Sequence, residues 1–261
     1  MKNNKKRSPM MKIVSVAAML AVSASMLGTS TYAWFSMNKD VTVTNMSVTA
    51  KSDSTYLLVG DSASTVSSIQ GAKSISANGT SPSAQLYPTA HNSSVTNIAT
   101  AEALTDGKLS NWWYSYSTDP ADDGETDKLV ATNGDATFDI ASADIGNYIL
   151  INEFHVTTAA GANPLSNLRV KNCTITPASG GSEAVKVLVA GTNGCEEFGG
   201  TGGNGNGTSV LQTANVTDSA VSTVKVYIYW DGQDDDVNTN NIDKLLSTAV
   251  SVVFTGDIVN S

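Results

Sequence analysis

Four carboxylates fall within six residues at Asp231-Gly232-Gln233-Asp234-Asp235-Asp236. Oxygen ligands at that density could hold calcium, with the glycine allowing the chain to turn. The spacing is not that of an EF-hand loop, and calcium needs about 6–8 converging oxygens. The favoured alternative is a solvated hairpin loop in which aspartate serves as a turn former. Asp122, Asp123, Glu125 and Asp127 form a second acidic loop open to the same two readings. Trp112-Trp113-Tyr114-Ser115-Tyr116 is the densest aromatic run. Exposed, it could stack on a sugar ring or anchor an interface. Alternation would place Trp112, Tyr114 and Tyr116 on one face and Trp113 on the other, and a strand with an aromatic face in the core is the favoured reading.

Catalytic chemistry finds little support. The histidines are His91, in the polar loop Tyr87-Pro88-Thr89-Ala90-His91-Asn92, and His155, which alternates with Phe154 and Val156 on a strand. There is no HExxH zinc signature, no GxSxG elbow and no Cys–His pattern with a recognisable surround. Serines are so abundant that a Ser–His–Asp triad can be drawn on paper without meaning, so no enzymatic activity is expected. Cys173 and Cys195 lack the neighbouring histidines of a zinc site. In an oxidising compartment an even pair points to a disulfide. It would stabilise by roughly 3 kcal/mol on the chain-entropy view. Two free buried thiols are the alternative.

The elements that would carry these residues read as strands. Ser222–Trp230 alternates most clearly, with Val224, Val226, Ile228 and Trp230 on one face and Thr223, Lys225, Tyr227 and Tyr229 on the other. Val185, Val187 and Val189 repeat the pattern, as do Val250, Val252 and Phe254. Tyr148–Val156 starts apolar on both faces and is expected to run through a sheet centre. Leu168–Ile175 is a further strand, ended by Pro177. Asn78-Gly79, Asn133-Gly134, Gly180-Gly181 and Asn193-Gly194 are turn dipeptides. Gly199–Gly207, GGTGGNGNG, reads as a flexible loop that does not pack. Helical periodicity is confined to short stretches at Thr96–Leu104 and Ile242–Ala249. No internal repeat or linker divides the chain. The expected fold is all-β: a single antiparallel β-sandwich of jelly-roll type with long Gly/Asn/Ser-rich loops, after an N-terminal signal helix.

That helix is read from the first 33 residues. Lys2, Lys5, Lys6, Arg7 and Lys12 are basic, Ile13–Leu27 is apolar, and Thr31-Tyr32-Ala33 is a small-x-Ala site. These are the three parts of a secretory signal peptide, with cleavage between Ala33 and Trp34. The apolar run falls short of the about 20 residues that span a bilayer. No sortase-type signal or apolar tail is found at the other end, so no stable membrane anchor is expected after processing. Charged residues are 15% of the chain, below the usual figure of about 25%. Five of the 15 basic residues lie in the leader, so the remainder carries ten against 24 acidic ones, a net charge of -14. Such a surface repels nucleic acid and anionic lipid, and neither is expected as a partner. Calcium remains compatible with it as the one candidate cofactor.

Gly28-Thr29-Ser30-Thr31-Tyr32-Ala33-Trp34-Phe35-Ser36-Met37-Asn38-Lys39-Asp40, followed by the strand-like Val41–Ala50, resembles the signal-peptide junction of the TasA/camelysin group. These are secreted Gram-positive proteins processed by a SipW-type signal peptidase. The resemblance covers about a fifth of the chain, departs in its double aromatic Trp34-Phe35, and leaves a body richer in Ser, Asn and Gly. It implies a jelly-roll-like sandwich and biofilm-matrix fibres in which an N-terminal strand is lent to a neighbour. The protease activity described for camelysin finds no motif here.

Two functions follow. In the first, residues 1–33 are removed and 34–261 is a secreted matrix or surface-fibre subunit that polymerises with itself or related matrix proteins. Residues 34–51 would be the donor strand, with Val41, Val43, Met46 and Val48 filling pockets in the acceptor and a bulge near Asn45. In the second, the chain is a monomeric cell-surface module that binds glycan or protein through the Trp112–Tyr116 run or the acidic loops. Whether the N-terminal strand pairs within its own domain is open at this level.

Overall fold

The computed structural model describes residues 47–52, 57–61, 65–69, 74–78, 86–114, 138–176, 184–199, 205–234 and 249–259. The expected signal peptide with its cleavage site at Ala33 and Trp34, and Val41, Val43 and Met46, lie outside the described residues, as do Tyr116 and residues 122–127.

Thirteen strands and short helices follow one another among these residues. They are β1 (Ser47–Ser52), β2 (Leu57–Asp61), α1 (Val66–Ile69), β3 (Ser74–Asn78), β4 (Ala90–His91), α2 (Ile98–Ala101), β5 (Leu104–Thr105) and β6 (Lys108–Tyr114). After them come β7 (Phe138–Ala141), a 3-10 helix (Ser142–Asn147), β8 (Ile149–Thr158), β9 (Leu165–Thr176), β10 (Val185–Ala190), β11 (Cys195–Gly199), β12 (Ser222–Trp230) and β13 (Ala249–Ile258). No helix among the described residues is long and apolar enough to cross a membrane.

The strands build three sheets. Sheet A has the order β3-β1-β13-β9, sheet B the order β11-β10-β12-β8-β2, and sheet C the order β4-β6-β5 with β7 added on β6. Among the named strands pairing is antiparallel except between β1 and β13, which run parallel from Ser47↔Ala249 to Ser52↔Phe254. The fold is therefore all-β, as the alternation of the sequence requires, but with a third sheet and one parallel pair.

Sheet B lies between two cores because its strands are apolar on both faces. Val224, Val226, Ile228 and Trp230 meet Phe154, Val156, Val185, Val187 and Val189 from the same sheet. Leu168, Val170, Cys173, Val250, Val252 and Phe254 of sheet A complete this core. Each such side chain, taken fully out of water, contributes about 1.5–3 kcal/mol. On the opposite face Leu188, Ala190, Tyr227, Tyr229 and Ile149 pack under Leu109, Trp112 and Ile140 of sheet C and Ala101 of α2.

The disulfide expected between Cys173 and Cys195 does not form: both cysteines are free. Cys173 is fully buried in the core between sheets A and B, whereas Cys195 packs at the core under sheet C. Sheet B stands between them, and packed layers are about 10 Å apart. Burial pushes the Cys173 thiol up to about 12. Burial, then the charges of Glu197 and Glu196, push Cys195 up as well. The Cys195 thiol donates to the Val95 carbonyl at 3.4 Å.

The glycine run also departs from expectation. Its last residues dock on the outer edge of β9: Cys173 N–H donates to Gly205 O at 2.9 Å, and Gly207 N–H to Val170 O at 3.1 Å. A β-carbon at Gly207 would stand 2.9 Å from the Val170 carbonyl oxygen. The lack of a side chain here permits close strand approach rather than looseness.

Two expectations follow. In guanidinium without reductant, both thiols titrate, and reductant leaves the melting temperature unchanged. At Gly191 an added β-carbon would lie 2.2 Å from the Leu211 carbonyl oxygen, while at Gly146 nothing lies within 4 Å. Gly191→Ala is expected to lower stability to urea by about 1–3 kcal/mol, and Gly146→Ala to change it by less than about 1 kcal/mol.

Candidate functional site

Two places combine positioned polar groups with a role that the rest of the domain does not need. One is the slot in sheet A that holds β1. The other is the charged seam where sheet C meets sheet B.

The slot is a matter of backbone order. β1 sits between β13 on one side and β3 on the other, with antiparallel register from Ser47↔Asn78 to Lys51↔Ser74. Val48, one of the four proposed donor residues, stands opposite Val250 and Ala77. Within this chain, then, residues 47–52 pair with their own domain. β3 and β13 are separated by the width of this one strand, about 9–10 Å from neighbour to neighbour at the usual strand spacing. Both would lose a full ladder of hydrogen bonds if β1 left.

The seam begins with β12. Its Lys225, Tyr227 and Tyr229 face sheet C, and their neighbour on β10 is Lys186. Covering that face leaves each polar tip in need of a partner. Glu102, at the C-terminal end of α2, supplies one. Asn97 caps that helix, its side chain accepting from Thr100 N–H at 2.9 Å. The helix is fixed to sheet C by Trp112 Nε1–H, which donates to Ala101 O at 3.0 Å. Lys225 Nζ then meets Glu102 at 2.8 and 2.9 Å and Glu153 at 3.3 Å, and Tyr227 OH donates to Glu102 at 3.1 Å. Burial and the nearby Glu102 raise the Tyr227 phenol far above its ordinary value.

The second cluster centres on Glu197 of β11. His91 Nε2 lies 2.6 Å from Glu197 Oε2, Tyr229 OH donates to the same oxygen at 2.8 Å, and Lys186 Nζ reaches Oε1 at 3.1 Å. Lys186 also lies 3.5 Å from Asp231. Burial disfavours the Glu197 carboxylate, but His91, Lys186 and Tyr229 outweigh it and bring its pKa down to about 2. His91 rests on Trp112 and Tyr229, with ring centres 4.8 and 5.6 Å away. The backbone places it there: Thr89 N–H donates to Trp230 O at 2.9 Å, and Gly232 N–H to Thr89 O at 3.0 Å.

The residues singled out from sequence fall as follows. Asp231 accepts from Gln233 N–H at 3.0 Å and faces Lys186, the arrangement of a turn former. Asp234 N–H donates to Asp231 O at 3.0 Å, while Asp235 and Asp236 lie outside the described residues. Among the described residues no three His, Cys, Asp or Glu side chains are grouped to hold a metal. Trp112 and Trp113 are buried, at 1% and 5% exposure, so neither offers a stacking surface. They alternate as expected, Trp112 toward sheet B and Trp113 against Ala90. Tyr114 is half-buried and stacks on Tyr148 and Phe138 at 5.0 and 5.4 Å. His91, expected in a loop, is on β4. Glu102, Glu153, Lys186, Glu197 and Lys225 carried no motif. Glu153, Lys186 and Lys225 were charges on segments read as strands, Glu102 lay in the short helical stretch, and nothing marked Glu197.

Neither cluster presents a nucleophile or an oxyanion hole; both join layers. Glu197 was fully ionised above its ordinary value of 4.5 in the unfolded chain and is held down to about 2 in the fold. A lowered carboxylate contributes stability that is present above 4.5 and is lost as pH falls toward 2. Glu197→Gln is expected to cost about 2 kcal/mol near neutral pH. That difference from the native chain should shrink across this acid window in urea titrations at stepped pH. Compared with protein-family models, with curated proteins and with solved structures, the chain matches none.

Proposed function

We propose that this protein is a secreted, non-enzymatic structural subunit that polymerises by exchanging its N-terminal strand, as the TasA/camelysin resemblance implies. One observation carries the reading: β1, the first described strand, is inserted between β3 and β13 rather than added at an edge. A strand held in a slot can be replaced by the same strand of a neighbour with every hydrogen bond kept. The contact is head-to-tail, so it propagates instead of closing. The cis pairing described above is the resting, self-complemented form in this reading. Export through a SipW-type signal peptidase and a jelly-roll classification of the packed sheets A and B belong to the same proposal. Calcium is a variable of the test.

A second reading has one observation in its favour. Tyr87, Tyr148, Tyr114 and Phe138 form a continuous run of ring contacts, and Phe138 is 39% exposed. A monomeric glycan- or protein-binding module would use these rings, not the buried tryptophans.

The test compares chains beginning at Trp34 and at Ser52 by size-exclusion chromatography and negative-stain electron microscopy, with and without calcium. Filaments from the longer chain only, blocked by excess Trp34–Lys51 peptide, are expected. Thr49→Cys with Ser251→Cys, opposite one another in the parallel register, should lock β1 in place when oxidised and abolish filaments reversibly. A longer chain that stays monomeric at every concentration, and whose shorter form unfolds, overturns the proposal and favours the binding module.

A further inference from the structure

The seam between sheets B and C holds a histidine whose surroundings admit one protonation state. His91 Nδ1 lies 3.0 Å from the Asn92 carbonyl oxygen, and Nε2 lies 2.6 Å from Glu197 Oε2. A carbonyl oxygen and an ionised carboxylate can only accept, so both ring nitrogens must carry hydrogen. A neutral imidazole has one N–H and would turn a lone pair toward one of those oxygens. Glu197 does not supply the missing proton, because the hydrogen bond from Tyr229 OH and the charge of Lys186 favour its ionised form.

The groups that face His91 come from every element around it. β11 contributes Glu197, β10 Lys186, β12 Tyr229 and the turn after it Asp231, and β6 the uncharged Trp112. With His91 protonated, two positive charges meet two negative ones. Without that proton the cluster carries an uncompensated negative charge, and His91 is only 14% exposed at its side chain. Glu197 is itself 34% exposed, so water screens part of that charge, and the remainder is costly to leave unpaired. The residue sits on β4, a two-residue edge strand of sheet C that pairs with β6 through Ala90↔Trp113 and His91↔Trp112, with Thr89 and Asn92 on either side adding one hydrogen bond each to β6.

We infer that protonated His91 is a proton-dependent fastener of sheet C to sheet B, and that alkaline pH releases this edge and uncovers Trp112 and Tyr229. The direction agrees with the raised pKa of His91, where burial lowers it and the Glu197 hydrogen bond and charge, with Asp231, outweigh burial. A raised histidine contributes stability that is complete below its unfolded value of 6.5 and lost as pH rises through its folded value.

Hydrogen exchange of the full chain, followed peptide by peptide from about pH 6 to 9 and corrected for intrinsic rates, tests this. Peptides covering β4 and β6 are expected to lose protection by up to about tenfold per pH unit above 6.5, while β8 and β12 hold. His91→Gln should remove the pH dependence. Should that variant not fold, Glu197→Gln should move the midpoint down toward 6.5. Long-range proton–nitrogen NMR should show both nitrogens of His91 protonated at neutral pH, with His155→Gln assigning the signals. A neutral His91 there, an unchanged β4 across the window, or a transition that survives His91→Gln overturns the inference.

Discussion

Sheet B is covered on both faces, and most of what is distinctive about this domain follows from that constraint. A sheet covered on one face can leave its polar side chains to water. A sheet covered on two cannot, and β12 carries Lys225, Tyr227 and Tyr229 on its second face. The solution is a set of amphipathic side chains whose apolar stems join the core while their tips meet carboxylates. Glu102 and Glu197 come from elements distant in sequence, so the charges also fix where α2 and β11 sit. Replacing such pairs by apolar residues need not cost stability, but removing one partner leaves the other buried and unpaired. The seam thereby specifies the position of sheet C more than it adds strength.

Much of sheets A and B was legible in the sequence because alternation is local. Val224 to Trp230, Val185 to Val189 and Val250 to Phe254 face the core that their parity assigns. Tyr148–Val156 was read as a central strand, and β8 lies between β12 and β2. The short helix read within Thr96–Leu104 is present at Ile98–Ala101. What alternation left open was what covers the other face of β12. Tyrosine and lysine are ambiguous there, and only a third layer distinguishes a wet face from a paired one.

In sheet C only the aromatic strand β6 was legible, since β4 and β5 are two residues each and owe their existence to partners already in place. The cysteine pairing failed for a related reason. Compartment and count say that a bridge is permitted, not that the two sulfurs share a core, and here a whole sheet separates them. The glycine run misled in the opposite direction. Composition reads it as loose, whereas its end is held by ladder bonds to Val170 and Cys173 that a larger residue would obstruct. The seam charges lay unmarked because each belongs to a different strand, and no linear spacing brings Glu102 to Lys225.

The parallel pairing of β1 with β13 has a consequence in time. The first described strand takes its partner from the last one, so a loop of nearly the whole domain must close before that ladder forms. Closure of so distant a contact is slow, and its entropy is lost before any bond is gained. Sheet B needs neither strand and can order first, leaving sheet A as the late step. A chain emerging from its N-terminus can pair β1 with β3 early, but the edge of β1 that faces β13 stays open until its own C-terminal strand has been made. The order of synthesis therefore sets how long that edge of sheet A waits for its last strand.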